Sequence, residues 1–132
     1  MTYRLENENI NLNTNIEDNL FFDIDTVLPL GMIVNELVSN SLKYAFQGRD
    51  KGEIRIKLYR KIFVKFDSKD FKSTSFVLIV SDNGMGIHEL DFEDLNTLGM
   101  QLVTSLVNQL GGEFELKRNK GTEFTMQFTL TD

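Results

Sequence analysis

Ile10, Leu12, Thr14 and Ile16 alternate with polar residues, the period of a strand covered on one face. Residues 20–24 read as a second short strand. The period then lengthens to that of a helix. Asp25 or Thr26 is the cap candidate, Pro29 stands near the start, and the pattern runs to about Phe46, with Gly48 ending it. A long strand is expected over 53–66 from the alternation of Ile54, Ile56 and Leu58, followed by a turn-like stretch at 67–70. Residues 75–81, S-F-V-L-I-V-S, form the continuous apolar run of a central strand. A glycine-rich turn at 82–86 leads into an acidic, irregular stretch at 87–96. A second helix is expected over 97–110, with Leu98, Leu102, Leu106 and Leu110 along one face and Gly111-Gly112 as its stop. The chain closes with a hairpin, strand 113–118, turn 119–121 and strand 122–130. Strands outnumber helices, hairpins dominate, and two helices can cover only one face. The pattern therefore predicts a two-layer α/β sandwich on a mixed, mostly antiparallel sheet.

Composition narrows the chemistry. The 132 residues fit one domain, expected to span 1–132. With 14 basic and 20 acidic residues the net charge is −6. Such a chain is a poor binder of nucleic acid or anionic membrane, which need clustered Lys and Arg. It can still hold an anion through backbone N–H groups and a metal ion. The absence of cysteine excludes disulfides, thiolate metal sites and a Cys nucleophile, and the single histidine, His88, excludes a multi-His metal site within one chain. No apolar run approaches the ~18 residues of a membrane span, and the N-terminus lacks the pattern of a secretory signal. A cytoplasmic protein without direct membrane contact is expected.

Four short stretches carry candidate chemistry. In the first helix, at ~100° per residue, Glu36, Asn40, Lys43 and Tyr44 fall on an arc beside the apolar one formed by Leu30, Ile33, Val34, Leu37, Val38 and Ala45. A carboxylate and an amide oxygen suit Mg²⁺, and a lysine one turn on suits a phosphate; a solvated helix face would look the same. Asp82-Asn83-Gly84-Met85-Gly86 follows the buried strand. There an acid can accept from an exocyclic amine and glycines let backbone approach a ligand, although a plain turn uses the same residues. Thr97-Leu98-Gly99-Met100 opens the second helix, where free N–H groups attract anions, or where Thr97 merely caps. Gly121-Thr122 enters the last strand, with Thr122 as easily a surface residue as a ligand.

The order and spacing of the four resemble a known family. N-E-L-V-S-N-S-L-K-Y-A-F (35–46) resembles the asparagine box of the ATP-binding catalytic domain of sensor histidine kinases, within the wider group of gyrase, heat-shock chaperone and mismatch-repair ATPases. D-N-G-M-G-I (82–87) resembles the first glycine box, T-L-G-M-Q-L-V (97–103) the second, and G-T-E-F-T-M-Q-F (121–128) the closing Gly-Thr strand. The likeness covers about residues 10–130 and is strongest to the short-lid two-component subfamily.

The resemblance implies ATP and Mg²⁺ as cofactors. It implies that Asn40 ligates Mg²⁺, with Glu36 and Lys43 near metal and phosphates, these three forming the catalytic set. It implies that Tyr44 lines the nucleotide pocket, that Asp82 binds the adenine amino group, and that Gly84 and Gly86 shape that wall. Leu98, Gly99 and Met100 would present backbone to the phosphates, and Thr122 would reach the adenine. The implied activity is transfer of the γ-phosphoryl to a histidine on a separate dimerisation and phosphotransfer domain, with a response regulator as indirect partner. That acceptor domain has no counterpart here, so an isolated, monomeric catalytic domain is expected, with His88 a surface residue of the lid. The lid between Gly86 and Gly99 is expected to be short and mobile, and residues 59–74 form a basic hairpin extension. Two other readings stay open. One is an ATPase or anti-sigma-like serine kinase of the same group, with Glu36 as general base; Lys43-Tyr44 and the short lid speak against it. The other is a non-catalytic nucleotide-binding regulatory module.

Overall fold

The computed structural model describes residues 2–4, 9–46, 51–61, 73–84, 98–118 and 120–131. Six strands form one sheet in the order β1-β2-β3-β4-β6-β5. They are β1 (Thr2–Arg4), β2 (Ile10–Ile16), β3 (Gly52–Lys61), β4 (Ser73–Asp82), β5 (Glu113–Arg118) and β6 (Thr122–Thr131). All neighbours pair antiparallel except β2 and β3, which run parallel. A parallel pair needs a crossover, and helix α1 (Ile24–Asn40) supplies it. Helix α2 (Leu98–Gln109) packs beside α1. The sandwich and its mixed, mostly antiparallel sheet are as the pattern predicts.

The period-2 alternation sorts each strand's two faces. Ile56 of β3, Phe76, Leu78 and Val80 of β4, and Phe124, Met126 and Phe128 of β6 point into the helical layer. There they meet Leu30, Ile33 and Leu37 of α1 and Val103, Leu106 and Val107 of α2. Ile33, Val103 and Met126 are fully buried. A smaller cluster of Ile10, Ile54 and Phe46 closes the core near the start of β3.

Three local expectations need correcting. Residues 20–24 form no strand: Leu20 to Asp23 lie outside the sheet and Ile24 already opens α1. Their alternation has another cause, since Phe22 turns inward to meet the rings of Phe76 at 4.9 Å and Phe128 at 6.1 Å, and Leu20 packs on the same core. The helix therefore starts earlier than a cap at Asp25 or Thr26 would place it: Asp23 holds the N-cap position, Asp25 lies in the first turn and Thr26 is buried within it. The α-helix also does not run to Phe46. It ends at Asn40 and continues as a single π-helical turn, Ser41–Ala45. Strand β1 was not anticipated; three residues are too few to show a period. β3 is described to Lys61, so 62–66, the turn at 67–70 and most of the basic extension at 59–74 lie outside the described residues.

Candidate functional site

The apolar run of β4 ends on a charge. Asp82 is buried, and its neighbours Phe76, Leu78 and Val80 on the same face are core residues, so its carboxylate is carried into the helical layer. A buried carboxylate needs hydrogen-bond donors, and three reach it. Its Oδ2 accepts from the hydroxyl of Ser41 at 2.8 Å. Its Oδ1 accepts from the backbone N–H of Gly84 at 3.0 Å and of Thr122 at 3.2 Å.

Each donor is placed by a separate piece of local structure. Ser41 opens the π-helical turn that follows α1. Such turns recur at functional sites because they interrupt the regular ladder. Gly84 folds back over Asp82 in a short Asx-type turn. Asn83 is tied to β3 on both sides, its N–H donating to the Glu53 carbonyl at 3.2 Å and its Oδ1 accepting the Glu53 N–H at 2.8 Å. Thr122 follows Gly121, which has φ +122°. A Cβ on Gly121 would overlap the carbonyl oxygen of Asp82. Glycine is therefore demanded there twice, by conformation and by space.

Two buried polar atoms have no hydrogen-bond partner among the described residues: Asn40 Nδ2 and Thr122 Oγ1. Asn40 immediately precedes Ser41, whose hydroxyl bonds Asp82, and Thr122 donates its own N–H to Asp82, so both residues adjoin groups that hold the carboxylate. Thr122 is thus no plain surface threonine: its hydroxyl is buried. Native structures rarely leave buried polar atoms unpaired, and the exceptions call for a ligand or an ordered water.

The structure therefore draws Asn40, Asp82, Gly84 and Thr122 to one end of the sheet. Glu36 lies one turn before Asn40 on α1 and is half-buried, while Lys43 is exposed within the π-helical turn. A π turn advances fewer degrees per residue than an α turn, so Lys43 does not continue the Glu36–Asn40 stripe at 100° steps. Gly99 and Met100 occupy the first turn of α2 and are half-buried, with Met100 against the core. Leu98 opens that helix. The side chain of Tyr44, the residues Gly86, His88 and Thr97, and the lid at 87–96 lie outside the described residues. Ser41 escaped the sequence reading. It sits in the asparagine-box stretch, but nothing in the local pattern ties it to a carboxylate 41 positions away.

An open cleft of about 370 Å³ lies at the same end of the sheet, between β3, β4 and the β5–β6 turn, lined among others by Arg55, Ser81, Lys117 and Glu123. On its wall Arg55 and Glu53 form an ion pair at 2.6 Å, and the Glu53 carboxylate pushes the guanidinium pKa above its ordinary value. Asp82, Gly121 and Thr122 also line this cleft, while Oδ2 of Asp82 meets the Ser41 hydroxyl.

The donor set fits a magnesium nucleotide. An amide and a carboxylate one helical turn apart offer hard oxygen ligands, and the orphaned buried amide of Asn40 marks where a partner is wanting. Amide O and N are assigned from the hydrogen-bond network, so the orphaned position can present either atom.

Known proteins resemble this chain in sequence and in fold. Residues 25–132 match the family model described as histidine kinase-, DNA gyrase B-, and HSP90-like ATPase. Blue-light-activated histidine kinase 2 of Erythrobacter litoralis (strain HTCC2594) is 28% identical over 102 residues, covering 76% of this chain and 27% of the relative. The solved histidine kinase domain of the Erythrobacter litoralis EL346 blue-light-activated kinase superposes with a TM-score of 0.73 at 25% identity, covering 92% of this chain and 53% of that one. The Acinetobacter baumannii histidine kinase AdeS shares the fold, with a TM-score of 0.66 at 18% identity over 95% of this chain and 56% of its own. The chain thus spans about a quarter of the curated relative and about half of the solved kinase domain. Among the described residues no helix is long and apolar enough to cross a membrane. With a family model spanning most of its length, the chain belongs to the histidine kinase-, DNA gyrase B- and HSP90-like ATPase family, and among its solved structural neighbours it is similar to histidine kinase domains.

Proposed function

We propose that this chain binds Mg-ATP at the Asp82 end of the sheet and acts as the catalytic domain of a two-component sensor histidine kinase. The observation that carries the reading is the buried Asp82 carboxylate, held by three donors and flanked by the unpaired Asn40 Nδ2 and Thr122 Oγ1. With Oδ1 occupied twice, Oδ2 keeps accepting capacity for the exocyclic amine of adenine. Guanine puts a carbonyl oxygen at that position, and two acceptors facing each other in a buried site repel. Thr122 Oγ1 adds a hydroxyl beside the base, and Gly84 keeps that wall low.

Asn40 and Glu36 would hold Mg²⁺, which supplies neutralisation of phosphate charge when bound. Lys43 would add a cation near the phosphates, and Leu98, Gly99 and Met100 would offer first-turn N–H groups of α2. Tyr44 and Gly86 would complete the pocket. The remaining task of these residues is positioning: they hold the terminal phosphoryl so that an imidazole nitrogen on a separate acceptor domain attacks phosphorus. The bond to the bridging oxygen breaks, and ADP departs with that electron pair. A response regulator would receive the phosphoryl afterwards.

Calorimetric titration with ATP, ADP and GTP, with and without Mg²⁺, tests the reading. Adenine nucleotides should bind and GTP should not, and Asn40→Ala should lose the Mg²⁺ effect. No binding at millimolar nucleotide would overturn it. Steady phosphate release without any acceptor would instead favour a water-activating ATPase with Glu36 as base.

A further inference from the structure

Helix α1 is apolar on two opposite sides. Its inner side buries Pro29, Leu30, Ile33 and Leu37. Its outer side carries Ile24, Val27, Leu28 and Met32, which are 68, 46, 58 and 46% exposed. At ~100° per residue these four and Gly31 share an arc of about 140° facing away from the core. A surface helix ordinarily turns a polar face to water, and one apolar all round is a buried helix. Past Met32 the same arc carries Asn35, Val38 and Ser39, and Val38 is half-buried against the core rather than left to solvent. The apolar outer surface is thus confined to the first half of α1. Phe21, in the segment leading into it, is also left 86% exposed.

Gly31 lies in the middle of this arc. Glycine inside a helix destabilises it relative to alanine. No described residue explains the choice, because a Cβ on Gly31 would meet nothing within 4 Å. The domain's own packing therefore does not require glycine here. A second helix backbone crossing closely over the arc would, since a missing side chain opens a notch between flanking apolar ridges.

Charge decides what kind of helix. No lysine or arginine occurs from residue 5 to residue 42. Glu17, Asp18, Asp23 and Asp25 are all exposed around the start of α1. Arg60, whose guanidinium reaches the Asn19 carbonyl at 3.5 Å, offsets one of these four charges, and the border remains acidic. An acidic border repels an identical border, which argues against a second copy of this chain. It attracts a partner whose apolar ridge is flanked by Lys and Arg.

We infer that the outer face of α1, from Ile24 to Met32 with Gly31 as its notch, docks an amphipathic α-helix flanked by basic residues. The inference stands apart from the nucleotide reading, because it uses none of the residues around Asp82.

The probe is a labelled helical peptide of about three heptads with leucine at the a and d positions and lysine beside them. Its control carries glutamate for lysine. In anisotropy titrations the chain should bind the lysine peptide and not the glutamate one. Leu28→Glu and Met32→Glu should each weaken binding about tenfold or more, although both add attractive charge. Ile16→Glu, which adds the same charge at an exposed position off the helix, should leave binding in place. Gly31→Ala should raise the melting temperature by a few degrees and yet weaken binding, a combination that loss of fold cannot produce. Three outcomes would overturn the inference: no binding of the lysine peptide, binding indifferent to Leu28→Glu and Met32→Glu, or sedimentation showing a dimer of this chain that Leu28→Glu dissolves.

Discussion

Replacing Asp82 by asparagine separates the carboxylate's structural duty from its reading of a base. The side chains are nearly isosteric, so the packing around Asp82 survives. The two N–H groups of Gly84 and Thr122 both point at Oδ1 and force the amide oxygen to that side. The amide nitrogen then takes the place of Oδ2, and the Ser41 hydroxyl, which can rotate, changes from donor to acceptor. All three hydrogen bonds persist, but each drops from the charged to the neutral class, a loss of about 1 kcal/mol apiece. Relief from burying a charge offsets part of this. The net cost is about 1–2 kcal/mol, a fall of roughly 3–8 °C in Tm for a domain of this size. Nucleotide binding suffers far more, because a donor now faces the donor amine of adenine. The expected loss is about 2–4 kcal/mol, or roughly 30- to 1000-fold in Kd. Thermal melts and calorimetric ATP titrations on the same samples check both numbers. A variant that melts as expected and binds ATP as tightly as wild type would refute the assignment of Asp82 to the base.

Two further substitutions probe the same corner. Ser41→Ala should leave the fold intact and remove about 1.5–3 kcal/mol of stability, the worth of a hydrogen bond to a charged group. It should also weaken ATP binding several-fold and narrow the preference over GTP; unchanged discrimination in calorimetry would mean that Ser41 does not orient the carboxylate. Gly121→Ala should cost more than about 2 kcal/mol, because φ +122° is strained for alanine and its Cβ would overlap the Asp82 carbonyl. Wild-type stability in urea unfolding would contradict that close approach.

Much of the fold was legible because the core is built from regular periods. The alternation of Ile54, Ile56 and Leu58, the run 75–81 and the closing hairpin read correctly as strands, and the two helices as helices. The misreadings arose where a period was real but its cause was not local. Leu20 and Phe22 alternate like a strand because Phe22 reaches Phe76 and Phe128 across the core, not because the segment pairs with a neighbour. The π-helical turn at Ser41–Ala45 leaves no mark on apolar spacing. Neither does the parallel pairing of β2 with β3, which depends on where the crossover helix lays the chain down.

The sequence by itself determined most of the element types and the one-sided helical layer, and it marked four stretches of candidate chemistry. Side-chain period and glycine placement are local properties, and short-range sterics write them directly into the chain. Only the tertiary structure decided which of those residues meet. The hydroxyl of Ser41 and the N–H of Thr122 each lie about 40 positions from the carboxylate of Asp82 that they meet. They converge because β4 lies beside β6 in the sheet and α1 packs over it. Burial is likewise a tertiary quantity. It turns Thr122 Oγ1 and Asn40 Nδ2 into unpaired atoms that call for a ligand, and its absence leaves Ile24, Val27, Leu28 and Met32 facing solvent around a glycine the domain does not itself need.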